Sequence, residues 1–399
     1  MRIGIITSWM RLGWGVDLTL HMVGSALTAF GHEVTIYTAN HDGSFARAPY
    51  KLVHTPVVPH KFFPRFEYRA RRYIPFFNKE PNDIYLIATH PYFYYPWFLK
   101  KPVVNCEFGI VPTIGFSWRK KAMWAYMRLT QFYLYHPAAD AIMSISEFTR
   151  RSLPWFLRGK TFPIYLGAEH YDPTHPDRDV LFPSPLLEPD PKDPSHPREV
   201  PVDKRSEEEL RWEFREKHGF SKSDVVGLYV GRINPIDQPY KGTKELFEIV
   251  PKLQKEFPEL KWVAVGLGTR EDEELCKRSG ILPLLNHPDW MMRQVYAGCD
   301  FYATASKWEG FNLPLVEAQY FGKPAVAYDV AAHPEVIEAG QTGFLAKDRA
   351  DFEDKLKKLI RERELREHMG KRAREWAKKF NWRDCAKKVE QLFERILGK

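Results

Sequence analysis

Two glutamates set eight positions apart, Glu309 and Glu317, bracket a stretch whose residue types suit anion binding (Ser306-Lys307-Trp308-Glu309-Gly310-Phe311-Asn312-Leu313-Pro314-Leu315-Val316-Glu317). Asn312 is expected to cap a helix, Pro314 suits its first turn, and Gly322 closes it. The backbone N–H groups of Phe311, Asn312 and Leu313 then lie at a helix N-terminus, which favours a diphosphate. Glu309 on the loop and Glu317 about one turn inside can each accept hydrogen bonds from vicinal hydroxyls. A nucleotide sugar fits this order: sugar hydroxyls at one end, ribose hydroxyls at the other, diphosphate between. Two glutamates alone would equally suit a solvated helix start. A second group narrows the choice. The strand Val225–Val230 runs into Gly231-Arg232-Ile233, with Lys241-Gly242 shortly after. Arginine forks onto two oxygens and lysine adds a point charge, a good diphosphate clamp at a strand end.

The elements that must position these groups read as strand–loop–helix–strand units of parallel sheets. Ile3–Ile6, a loop with Gly13 and Gly15, a helix from Leu18 to Phe30 and a strand at Val34–Tyr37 make the first. Strands are expected to lead into His90, at Lys101–Cys106, and from Asp140. In the second half they fall at Val225–Val230, Trp262–Gly268, Asp300–Ala305 and Ala325–Tyr328. Ligands of such sheets bind at the carboxyl ends of the strands. The Gly13-x-Gly15 pair lacks the third glycine of a dinucleotide fingerprint, and Ala39-Asn40 stand where that site needs an acid, which argues against a nicotinamide cofactor.

The chain of 399 residues predicts two domains. Its four cysteines have no C-x-x-C spacing, which argues against a disulfide framework or zinc site and fits a reducing compartment. The opening apolar run is too short for a signal peptide, and no run of about 18 apolar residues exists to span a membrane. Proline-rich residues 172–206 read as a linker or added surface loop. Net charge is +8. Two stretches interleave basic and aromatic residues. One is 61–80, with six Lys or Arg against two Glu; the other is 116–136, where Arg119, Lys120, Lys121 and Arg128 accompany Trp118, Trp124 and Tyr126. Such a helix suits an anionic bilayer surface, or packs its rings inward and solvates its charges. No nucleic-acid module is recognisable.

The 306–317 string resembles the Glu–seven residues–Glu motif of the family 4 glycosyltransferases, retaining enzymes of the two-domain GT-B fold. Gly322-Lys323-Pro324-Ala325-Val326, His333-Pro334-Glu335-Val336-Ile337 and Gly340–Leu345 continue the likeness, as do Gly231-Arg232 with Lys241-Gly242, and residues 1–40. One departure is Asn312, where the family usually has glycine; its side chain bears on which sugar fits. The resemblance implies an α/β protein with two Rossmann-like domains facing a central cleft, 1–171 and 207–381, and a final helix (within 382–399) crossing back to the first. It implies that Gly13 and Gly15 approach the donor phosphate or the acceptor, and that His90 contacts sugar or acceptor. Arg232 and Lys241, beside Gly231, hold the diphosphate, and Leu285 lies by the base. Glu309 positions the sugar and Glu317 the ribose, with Phe311, Asn312 and Leu313 offering backbone donors. Glu309, His90, Arg232 and Lys241 are the expected catalytic set. Gly167 matches the family's ending of the first domain, whereas Glu169 or His170 stands where the family has Asp.

The expected reaction moves a hexose-type sugar from a UDP- or GDP-sugar to a hydroxyl of a glycan or lipid-linked acceptor, with retention and with neither cofactor nor metal. Synthases of sucrose, trehalose or glycogen type share the motifs, as would a binder without transfer. The expected place is the cytoplasm, peripheral on the inner membrane face, with an anionic membrane surface as partner and no nucleic acid.

Overall fold

The computed structural model describes residues 1–11, 13–45, 47–55, 63–109, 112–113, 115–176, 187–188, 198–199, 203–236, 238–288 and 291–399. The start of the basic stretch at 61–80 and most of 177–202 therefore lie outside the described residues. The chain forms two compact units, one of residues 1–110, 117–202 and 381–399, the other of 111–116 and 203–380.

The first unit is a seven-stranded parallel sheet: β1 (Arg2–Met10), β2 (Glu33–His41), β3 (Lys51–His54), β4 (Ile84–Ile87), β5 (Val103–Glu107), β6 (Ala141–Ser144) and β7 (Thr161–Pro163). Its spatial order is 3-2-1-4-5-6-7. Ile3, Ile5 and Ile6 are fully buried because helices cover both faces of a parallel sheet. α1 (Gly15–Ala29) follows β1, and α2 (Trp118–Thr130) follows β5. Thr130 is the one buried residue of α2, so this helix does not pack its rings into a core.

The first unit also carries a two-residue antiparallel pairing of β8 (Leu187–Glu188) with β9 (Arg198–Glu199), and the second unit has a six-stranded parallel sheet. Its strands are β10 (Val225–Val230), β11 (Leu260–Gly266), β12 (Leu282–Leu285), β13 (Phe301–Ala303), β14 (Ala325–Tyr328) and β15 (Gly343–Ala346), ordered 12-11-10-13-14-15. α3 (Glu207–Lys217), α4 (Thr243–Glu256) and α5 (Leu313–Tyr320) belong to this unit. Trp262 and Phe301 meet edge to face at 5.6 Å in its core.

The last helix, α6 (Trp382–Leu397), returns to the first unit. The Glu169 carboxylate accepts the Trp382 backbone N–H at 2.6 Å, and the Trp382 indole N–H donates to His170 Nδ1 at 3.2 Å. A Cβ on Gly167 would lie 2.4 Å from the Trp382 nitrogen, so this approach needs glycine. Glu169 and His170 thus hold a helix. Ser146 is likewise structural: it caps the helix Glu147–Ser152 in a capping box with Thr149.

In each sheet the order reverses once, between β1 and β4 and between β10 and β13. Within each sheet the strands' carboxyl ends at the switch point are where such sheets bind ligands. The glycine loop and His90 follow β1 and β4. Gly231-Arg232 and the 306–312 loop follow β10 and β13.

Candidate functional site

In the second unit the loop after β13 is laced to the turn before α4. The N–H of Lys307 donates to the Tyr240 carbonyl at 2.7 Å, and the Tyr240 ring meets Trp308 edge to face at 5.9 Å. This brings Lys241 Nζ to 2.9 Å from both oxygens of Glu309. Gly242 permits it. Its φ is +67°, and a Cβ there would lie 2.0 Å from the Ala305 carbonyl oxygen. Tyr240 is buried, which together with the Glu309 carboxylate pushes its hydroxyl pKa above the ordinary value. The field of Arg232 acts on the same hydroxyl in the opposite sense, which places Arg232 within electrostatic reach of this group.

Asn312 occupies the N-cap of α5 at φ +70° and ψ +64°, a left-handed conformation that glycine and asparagine tolerate best. This accounts for asparagine in the place of glycine. The expected side-chain cap does not form. Instead the Asn312 amide donates to His333 Nε2 at 3.0 Å. Burial lowers the His333 pKa, and its Nδ1 lies 2.8 Å from the Tyr328 carbonyl. A neutral ring donating through Nδ1 leaves Nε2 as the acceptor that Asn312 uses. The backbone N–H groups of Asn312 and Leu313 donate to no acceptor among the described residues, as an anion site requires.

The Phe311 ring packs on Phe380 at 5.6 Å. Glu317 sits in the second turn of α5, buried, with Oε2 accepting from the Tyr296 hydroxyl at 2.5 Å. Leu285 ends β12. The next residue, Asn286, donates through its amide to the Gly268 carbonyl at 2.9 Å, closing the loop after β11. Gly231 joins β10 to Arg232, and the Tyr229 hydroxyl donates to the Arg232 carbonyl at 3.1 Å. Arg232, Lys241, Leu285, Glu309, Phe311, Asn312 and Leu313 thus all lie in or beside the carboxyl-end loops of one sheet. His333, Tyr240 and Tyr296 join them without having been singled out from the sequence. The His333-Pro334-Glu335 string was the one signal that could have found His333.

In the first unit Gly13 has φ +80° and Gly15 opens α1. Trp14, not Asp17, holds the N-cap position of α1. Asp17 is buried in the first turn, and its carboxylate accepts the Arg11 backbone N–H at 2.9 Å. Burial raises its pKa to about 7. His90 lies three residues beyond β4, its Nε2 3.2 Å from the Gln131 carbonyl oxygen. The Gln131 amide donates to Glu107 at 2.9 Å. Burial lowers the His90 pKa to about 4, so the ring is neutral near pH 7. Glu107 also lies 3.2 Å from His136 Nε2, which makes it part of this buried network.

Among the described residues no three His, Cys, Asp or Glu side chains cluster as a metal site, and no helix is long and apolar enough to cross a membrane. All four cysteines are free and buried.

The family model described as Glycosyl transferases group 1 matches residues 211–376, and that described as Glycosyltransferase Family 4 matches 15–167. A D-inositol 3-phosphate glycosyltransferase of Corynebacterium jeikeium is 32% identical over 207 residues, covering 48% of this chain and 46% of that protein. A sulfoquinovosyl transferase of Arabidopsis thaliana is 31% identical over 170 residues, covering 41% and 32%. The chain spans about half the length of the first of these curated relatives and about a third of the second. The crystal structure of Anabaena HepE in complex with UDP-glucose shares the fold, with a TM-score of 0.71 at 15% identity, covering 100% of both chains. The two matched segments fall one in each parallel-sheet unit, and with the GT-B fold of the structural neighbours they establish that the chain belongs to the family 4, group 1 glycosyltransferases.

Proposed function

We propose that the protein transfers a hexose-type sugar, with retention, from a nucleotide diphosphate sugar to a hydroxyl of a glycan or lipid-linked acceptor. The observation that carries this reading is the Lys241–Glu309 pair at 2.9 Å, set beside the open N-terminus of α5. A cation and free backbone donors there suit a diphosphate, and the carboxylate alongside suits sugar hydroxyls. Arg232 and Lys241 stabilise the leaving diphosphate, Glu309 positions the sugar, and Glu317 takes the ribose. Leu285 borders the base. Gly13, Gly15 and His90 serve the first unit's crevice. The charge that develops on the diphosphate meets fixed protein charge, so the reaction proceeds without a metal ion.

Thermal shift against UDP, GDP and ADP, and their sugars, tests the site. One nucleotide is expected to stabilise the protein, and Lys241→Ala and Glu317→Ala to abolish the response. A response unchanged in both variants would remove the assignment. Transfer assayed with the productive donor should persist in chelator; full loss with recovery on adding Mg²⁺ or Mn²⁺ would overturn the metal-free mechanism.

A further inference from the structure

α2 is a helix without a core. Its 13 residues bury only Thr130, and Trp118 is 73% exposed. Isolated helices of this length are marginal in water and draw their stability from packing an apolar face. The turn that follows, Gln131–Tyr135, exposes Tyr133 and Leu134. Neighbouring elements widen the surface. The Trp97 indole N–H donates to the Leu134 carbonyl at 2.7 Å, and Tyr133 meets Phe156 at 5.7 Å. Trp155 stands against Phe156 and is 80% exposed. Of the large hydrophobic side chains exposed among the described residues, all but Ile236 and Leu267 belong to the first unit. Trp97, Tyr133, Leu134, Trp155 and Phe156 are thus linked side by side, and exposed apolar surface of this kind marks an interaction site.

The charges around it have one sign. α2 carries Arg119, Lys120, Lys121 and Arg128, and neither Asp nor Glu. Arg71 lies over the Phe98 ring at 5.1 Å. Two acids of this unit are engaged: Glu147 pairs with Arg150 and Arg151, and Glu67 accepts from the Tyr126 hydroxyl at 3.3 Å.

We propose that this face of the first unit docks on an anionic lipid bilayer. Trp118, Trp97, Tyr133, Leu134, Trp155 and Phe156 enter the headgroup–acyl boundary, and the basic residues of α2 meet acidic headgroups. Protruding tryptophans among cations suit that boundary, where an aromatic body and a polar tip are both satisfied. The surface shares no residue with the proposed donor site, so the two proposals stand or fall separately.

Flotation with vesicles of phosphatidylcholine alone, and of phosphatidylcholine mixed with phosphatidylglycerol, tests it. The protein is expected to float with the mixed vesicles and to release as salt rises. Combined Arg119→Glu, Lys120→Glu and Lys121→Glu should weaken binding at least about 100-fold. Combined Trp155→Ser and Phe156→Ser should weaken it about tenfold. Both variants should keep the wild-type melting temperature and nucleotide response, since the altered side chains lie outside the core. Equal binding to both vesicle types, or unchanged binding by either variant, overturns the proposal. So does self-association in gel filtration that the same substitutions abolish while vesicles capture nothing, because the face would then join two copies of the chain.

Discussion

Asn312 adopts φ +70°, and its amide donates to a histidine held neutral by burial. Left-handed backbone costs a β-branched residue more than it costs asparagine or glycine. Asn312→Val should therefore lower stability by about 1–3 kcal/mol in denaturant titration, while Asn312→Gly should cost less than Asn312→Val, because it relieves the backbone and loses only the bond to His333. His333→Phe keeps the volume and removes the acceptor, which should cost about 1–3 kcal/mol. In the double variant Asn312→Gly/His333→Phe part of that loss should return; strict additivity would show that the two side chains are not coupled. Asp17 gives a pH dependence of definite sign. Its folded pKa, about 7, lies above the unfolded value of 3.8, so the folded state binds the extra proton. Its contribution is therefore most favourable below pH 3.8 and is lost progressively as pH rises to about 7. The loss is on the order of 4 kcal/mol. Asp17→Asn should flatten the melting temperature between pH 4 and pH 7; an unchanged slope would assign the dependence elsewhere.

Helix α4 begins at a turn that tolerates no side chain. Gly242→Ala adds a Cβ 2.0 Å from a backbone oxygen at a positive φ. It should cost more than about 2 kcal/mol, and should weaken nucleotide binding by displacing the adjacent Lys241. The attachment of α6 is a second element-scale test. Trp382 is fully buried, with its backbone N–H on Glu169 and its indole on His170. Trp382→Ala should cost about 3–5 kcal/mol. The change should be read as early melting of the first unit, since α6 belongs there. Much of this was legible along the chain: α5 with Pro314 near its start, β10 running into Gly231-Arg232, and α6 beginning at Trp382. The purpose of Glu169 was not, because its partner lies 213 residues away.

At the scale of the whole molecule, the two sheets should respond differently to a ligand. A nucleotide at 100 times its dissociation constant adds about 2.7 kcal/mol to the fold that binds it. Hydrogen exchange is expected to slow across 305–317 in the second unit. Slowing across 13–19 would further support a role for the glycine loop, whereas protection confined to the first unit would remove the donor site from the crevice at β10 and β13.

The sequence by itself determined the two parallel-sheet units, the strand ends where the donor site is proposed, and the pairing of acids with a helix start. Each of these is written in local periodicity and in residues adjacent along the chain. Tertiary structure alone decided that Lys241 binds Glu309, that His333 holds Asn312, that Asp17 is buried and that α2 is uncovered. Those facts depend on which distant segments a fold brings within hydrogen-bonding distance and which faces it leaves in water, and no local pattern encodes either.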